Sequence, residues 1–81
     1  MKYYAVINAS SKNDYIINEY PFEAETNAEA LERAREIWLE KSSKQKELAR
    51  ENPESYGGIY LHLLGVKKVV GHETKEITHP I

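Results

Sequence analysis

At 81 residues with no cysteine, the chain reads as one small globular domain spanning residues 1–81, and its core must rest on apolar burial without disulfides or thiolate metal sites. Folding at this size hides only about 60 % of the unfolded surface. Eleven basic residues against thirteen acidic ones leave a net charge of −2, which excludes a basic nucleic-acid footprint over the whole chain.

Residues 3–9 are rich in β-formers and run into the polar turn Ser10-Ser11-Lys12-Asn13-Asp14. The opening Met1-Lys2-Tyr3-Tyr4-Ala5-Val6-Ile7 begins like a secretory leader, but its apolar run breaks at Asn8, so a strand is the better reading. Residues 15–24 form a second strand with Ile16, Tyr20, Phe22 and Ala24 facing in and Glu19, Pro21 and Glu23 facing out. Pro21 has no N–H to offer a ladder, so this strand should have a free edge or a bulge there.

Thr26 followed three residues later by Glu29 is a capping box, in which hydroxyl and carboxylate each satisfy one backbone N–H. The helix it opens runs from Asn27 to about Glu51, where Asn52-Pro53 stops it. Its second half, with Lys41, Lys44, Lys46 and Arg50, is more polar and more basic than its first, which complements the helix dipole. Either the helix projects past the sheet or it breaks near Ser42-Ser43. At about 100° per residue, Ala30, Leu31, Ala34, Ile37, Trp38 and Leu48 share one arc. Glu25, Glu29, Glu32, Glu36 and Glu40 fall within roughly 80° on nearly the opposite side.

Residues 53–58 form a loop with two glycines, residues 59–64 the most apolar and central strand, and Gly65-Val66-Lys67 a turn. A last strand covers roughly residues 68–75 and ends in a loose tail at Thr78-His79-Pro80-Ile81. The expected fold class is α+β: a two-layer ββαββ arrangement in which one long helix packs across a four-stranded antiparallel sheet. Leu31, Ala34, Trp38, Ile16, Phe22, Ile59, Leu61 and Leu63 are its expected core.

The chemistry-bearing residues do not assemble into a catalytic pattern. His62, His72 and His79 lack metal-ligand spacing, and the serines lie in turns or on the polar helix without a base at a telling distance. Gly58-Ile59-Tyr60 repeats the first letters of the GIY-YIG nucleases, but no second Tyr-Ile-Gly element follows. The expectation is a protein that is no enzyme and uses no metal or cofactor. Six tyrosines are more informative. Strand side chains alternate, so one ring of Tyr3-Tyr4 must face outward, and Tyr4, Tyr15 and Tyr60 are candidate contact residues for a partner. Outward tyrosines can also stack bases, as in RNA-binding sheets, with Lys2, Lys67, Lys68 and Lys75 as the cations on the strands and Lys67 and Lys68 foremost among them. Like charges at i, i+4 cost a few tenths of a kcal/mol each. A helix that tolerates Glu25–Glu29, Glu32–Glu36 and Glu36–Glu40 therefore suggests attraction to a basic protein surface.

The run Tyr3-Tyr4-Ala5-Val6-Ile7, the segment Phe22-Glu23-Ala24-Glu25-Thr26 with Glu29, Ala30 and Ala34, and Gly58-Ile59-Tyr60-Leu61 together resemble small phage-type proteins of the anti-CRISPR kind. The resemblance implies a compact inhibitor that blocks a nucleic-acid-binding surface on a bacterial defence protein, such as a CRISPR effector subunit. It carries no site residues with it, because those proteins share no binding motif. The expected setting is the cytoplasm, that of the host cell if phage-encoded. Nucleic acid is an unlikely partner and no segment approaches the ~20 apolar residues of a membrane span; self-association as a homodimer stays open.

Overall fold

A computed structural model describes residues 1–78, and it has the expected ββαββ order with one addition. Strands β1 (Lys2–Ser10) and β2 (Tyr15–Glu23) form the first hairpin, and β3 (Tyr60–Val70) and β4 (Glu73–Thr78) the second. Between them lie the long helix α1 (Asn27–Glu51) and a single-turn helix α2 (Pro53–Tyr56). All neighbouring strands pair antiparallel in the order β2-β1-β3-β4. The two hairpins therefore meet along β1 and β3, and β2 and β4 form the borders.

Alternation divides the sheet into a helix-covered face and an open one. Tyr3, Ala5, Ile7 and Ala9 of β1 align with Phe22, Tyr20, Asn18 and Ile16 of β2, and directly opposite residues share a face. Tyr4, Val6, Asn8 and Ser10 align with Pro21, Glu19, Ile17 and Tyr15 on the other side. The helix supplies Ala30 and Ala34, both fully buried, against Tyr3, Ala5 and Val66. Those alanines let the helix backbone lie close to the sheet. Tyr3 fills the space beneath, its ring stacked on Phe22 at 5.7 Å between centroids and its hydroxyl donating to Asn27 Oδ1 at 2.9 Å.

Several expectations need correction. Gly65 is not a turn. It lies inside β3 beside a register shift opposite Val6 and Ile7, the irregularity that an interior glycine often marks in a strand. The reversal instead uses Gly71, whose φ of +65° suits glycine. Residues 53–58 are not all loop, because Pro53 starts α2 at a position where its missing N–H costs nothing. The helix runs unbroken through Ser42-Ser43 to the cap at Asn52, whose N–H donates to the Leu48 carbonyl.

The core is also smaller than expected. Leu31 and Ile16 are exposed at 36 % and 56 %, while Trp38, Phe22, Ile59, Leu61 and Leu63 are only half-buried. The helix packs on β1 and β3 and leaves the start of β2 uncovered. Tyr3, Ile7 and Val66 are the largest fully buried side chains. Of the expected tail, Thr78 closes β4, and residues 79–81, with His79, lie outside the described residues.

Candidate functional site

The residues singled out by sequence fall on two surfaces that face away from each other, with the core between them. On the helix side, Thr26 takes an extended conformation and its hydroxyl accepts from the Glu29 N–H at 3.1 Å. Glu29 Oε2 in turn accepts from the Glu25 N–H at 3.4 Å. The hydroxyl half of the expected capping box is thus formed, whereas the carboxylate half goes to Glu25, one residue before the cap, and Glu25 lies before the helix rather than on it. The helical row is Glu29, Glu32, Glu36 and Glu40, spanning about 16 Å at 1.5 Å per residue.

Glu29 has a second role, a loose contact at 3.9 Å with Arg33, and both side chains are about half exposed. Such a surface pair contributes little. Glu32, Glu36 and Glu40 are exposed and have no ion-pair partner among the described residues. At the far end, Lys41 belongs to the basic half of the helix but is not free in solvent. It is half-buried, with its Nζ 4.0 Å from the centre of the Tyr20 ring, a cation–π contact between helix and sheet.

The open sheet face gathers Tyr4, Tyr15 and Tyr60. Ser10 aligns with Tyr15 on one side and Tyr60 on the other, and these two rings are 65 % and 66 % exposed. Tyr4 aligns with Pro21 and Lys67 and has the Lys2 ammonium 5.4 Å from its ring centre. The middle of this face is closed although no helix covers it: Val6 and Asn8 are 8 % and 3 % exposed. Across β1, Lys67 Nζ donates to Glu19 Oε2 at 2.7 Å. That hydrogen bond and the charge of Glu19 hold the Lys67 ammonium above its usual 10.5, helped by Glu76, its pairing partner on β4. Of the other candidate cations, Lys68 aligns with Tyr3 and Lys75 with Lys68, so both lie on the helix-covered side, while Lys2 shares the open face with Tyr4.

Sequence reasoning missed a cleft of about 390 Å³ between the second half of α1 and the start of β3, lined by Trp38, Leu39, Ala49, Ile59 and Leu61 among others. Trp38 stands at this cleft, its indole N–H donating to the Leu61 carbonyl at 2.9 Å. Ser42 also lines it, and its hydroxyl oxygen is enclosed with no hydrogen-bond partner among the described residues. The position of Ser42 at the margin of the apolar arc was the available signal.

Among the described residues, no group of three or more His, Asp or Glu side chains converges as a metal site would require, and no helix is long and apolar enough to cross a membrane. Compared with known proteins, the chain matches no family model, and no curated protein or solved structure is significantly similar to it.

Proposed function

We propose that this protein is a non-enzymatic protein-binding module that docks a basic, nucleic-acid-binding surface of its partner against the outer face of α1. The observation that carries this reading is the row Glu32, Glu36 and Glu40, exposed and without ion-pair partners among the described residues. Carboxylates held on a helix at fixed spacing form an extended negative edge, and a Lys/Arg groove that grips phosphates can accept such an edge. The finer form of the proposal, inhibition of a bacterial CRISPR effector subunit, rests on the architectural likeness to small phage-type inhibitors.

The competing reading, a nucleic-acid binder using its tyrosines and lysines, is disfavoured by where the cations go. Lys67 shares the open face with Tyr4, Tyr15 and Tyr60 but is bound to Glu19, and Lys68 belongs to the opposite face. That leaves Lys2, beside the Tyr4 ring, as the open-face lysine outside an ion pair among the described residues, and one cation supplies little of the phosphate contribution that dominates such binding.

Two labelled probes separate the readings: an arginine-rich peptide and a random-sequence single-stranded oligonucleotide, each titrated at low and at physiological salt. The expected result is salt-sensitive binding of the peptide and none of the oligonucleotide. Micromolar binding of the oligonucleotide at physiological salt, with none of the peptide, contradicts the proposal.

A further inference from the structure

An unpaired strand border offers its N–H and C=O groups to any passing strand, and proteins blunt such borders with charge, proline or a covering element. Three of the four border segments described here are guarded. β4 carries Glu73, Lys75 and Glu76. Residues 60–64 of β3, beyond the last described β4 pair at Val66 and Thr78, have the Trp38 indole on the Leu61 carbonyl. The second half of β2 has Glu19, Pro21 and Glu23.

Residues 15–18 have no guard. Tyr15-Ile16-Ile17-Asn18 contains neither charge nor proline, lies on the border strand, and exposes Tyr15, Ile16 and Ile17 at 65 %, 56 % and 52 %. Both faces are bare: Ile17 is on the open side, and Ile16 is on the helix side where the helix does not reach.

We propose that this segment pairs antiparallel with the same segment of a second copy, about a two-fold axis through Ile16. The occupant follows from self-complementarity. Side chains directly opposite in a sheet must share a face, which leaves few registers about a two-fold. Centred on Ile16, Tyr15 of each copy faces Ile17 of the other and Ile16 faces Ile16, while Asp14 meets Asn18. Centred on Ile17, Tyr15 faces Glu19. Centred on Asn18, Tyr15 faces Pro21, which cannot donate. Centred on Tyr15, Ile16 faces Asp14 and Ile17 faces Asn13. Only the register through Ile16 gives all three exposed apolar side chains, Tyr15, Ile16 and Ile17, apolar partners.

Such a contact is isologous, so it consumes the bare segment on both copies and assembly stops at two. The axis is normal to the sheet, which keeps both helices, and with them both acidic rows, on the same side. The contact is small beside the 1,200–2,000 Å² or so of a standard stable interface, so the dimer forms in a concentration-dependent way. It does not depend on the function proposed above.

The absence of cysteine makes single-cysteine variants clean probes. Opposed Cβ atoms about 4.5–5.5 Å apart lie near disulfide geometry, so Ile16→Cys should cross-link under mild oxidation to twice the 9.4 kDa chain mass. Val70→Cys, at a site 44 % exposed on β3, should not. Sedimentation of the parent should show a monomer–dimer equilibrium. Ile16→Lys should shift that equilibrium to at least tenfold higher concentration with an unchanged circular dichroism spectrum and Tm. A parent that sediments as a monomer throughout overturns the proposal. So does an Ile16→Cys variant no faster to cross-link than Val70→Cys, or an Ile16→Lys dimer as tight as the parent's.

Discussion

The outer face of α1 and the open face of the sheet are built from similar materials, yet they dispose of their charges in opposite ways. On the sheet, Lys67 reaches across β1 to Glu19 at 2.7 Å and the Lys2 ammonium lies 5.4 Å from the Tyr4 ring centre, so these charges have partners within the face. On the helix, Glu32, Glu36 and Glu40 point to solvent without ion-pair partners among the described residues. A face whose charges are paired offers shape and aromatic area, and one whose charges are free offers long-range attraction. That difference supports the proposal that α1 is the side for a basic partner, and variants can be ranked by how far they disturb it.

The largest effect is expected where both faces share a foundation. Tyr3 is fully buried, stacks on Phe22 and ties the sheet to Asn27 at the start of the helix. Tyr3→Ala should cost about 3–5 kcal/mol, enough to unfold much of so small a domain and to abolish both surfaces together. Tyr3→Phe keeps the ring and should lose only about 1 kcal/mol for the hydrogen bond. Chemical denaturation of the two variants checks the ratio.

Next come changes confined to the helix. Thr26→Ala removes the hydroxyl that accepts from the Glu29 N–H and should cost about 1 kcal/mol. Ser42→Ala should act in the other direction. It deletes a hydroxyl enclosed without a partner and improves helix propensity, for a gain of about 1 kcal/mol. A loss of stability on Ser42→Ala, read as a lower Tm, would mean that the hydroxyl has a partner after all.

The smallest stability effect belongs to the sheet face. Glu19 raises the Lys67 ammonium above its usual 10.5, so folding favours the protonated form. The contribution is complete at neutral pH and is lost as pH rises through the folded-state value. Lys67→Met should therefore lower the Tm slightly at pH 7, far less than Tyr3→Ala, and the difference from the parent should shrink at pH above 10.5. A difference that persists unchanged into strongly alkaline solution would assign it to packing of the lysine stem.

The strongest local signals in the sequence translated most directly into structure. The Thr26–Glu29 spacing located the helix start, Asn52-Pro53 its end, and Pro21 the border strand, because each depends on a backbone group that only neighbouring residues can satisfy or remove. Gly65 misled, since one glycine serves a turn or a strand irregularity equally well, and only pairing with β1 decides between them. The core was misjudged for a related reason. Leu31 and Ile16 sit on the correct arc and face, but which of them is covered depends on how the helix lies across the sheet, and no local pattern encodes that. The alternation that placed Tyr4, Tyr15 and Tyr60 outward was legible. The Glu19–Lys67 bond was not, because it joins residues 48 apart in sequence.

The central claim, that the helix rather than the sheet receives a basic partner, is tested most directly by comparing one variant from each face. The triple variant Glu29→Gln, Glu32→Gln, Glu36→Gln removes three charges from the row and keeps at position 29 a side-chain oxygen able to accept from the Glu25 N–H. Its Tm should equal or slightly exceed the parent's, because like-charge contacts are relieved. The double variant Tyr15→Ser, Tyr60→Ser strips the two most exposed rings of the open face. With the arginine-rich peptide as probe at low salt, the glutamine variant should bind at least tenfold more weakly than the parent, while the serine variant should bind as the parent does. Unchanged binding by the glutamine variant, with loss of binding by the serine variant, would contradict that claim and move the docking surface to the sheet.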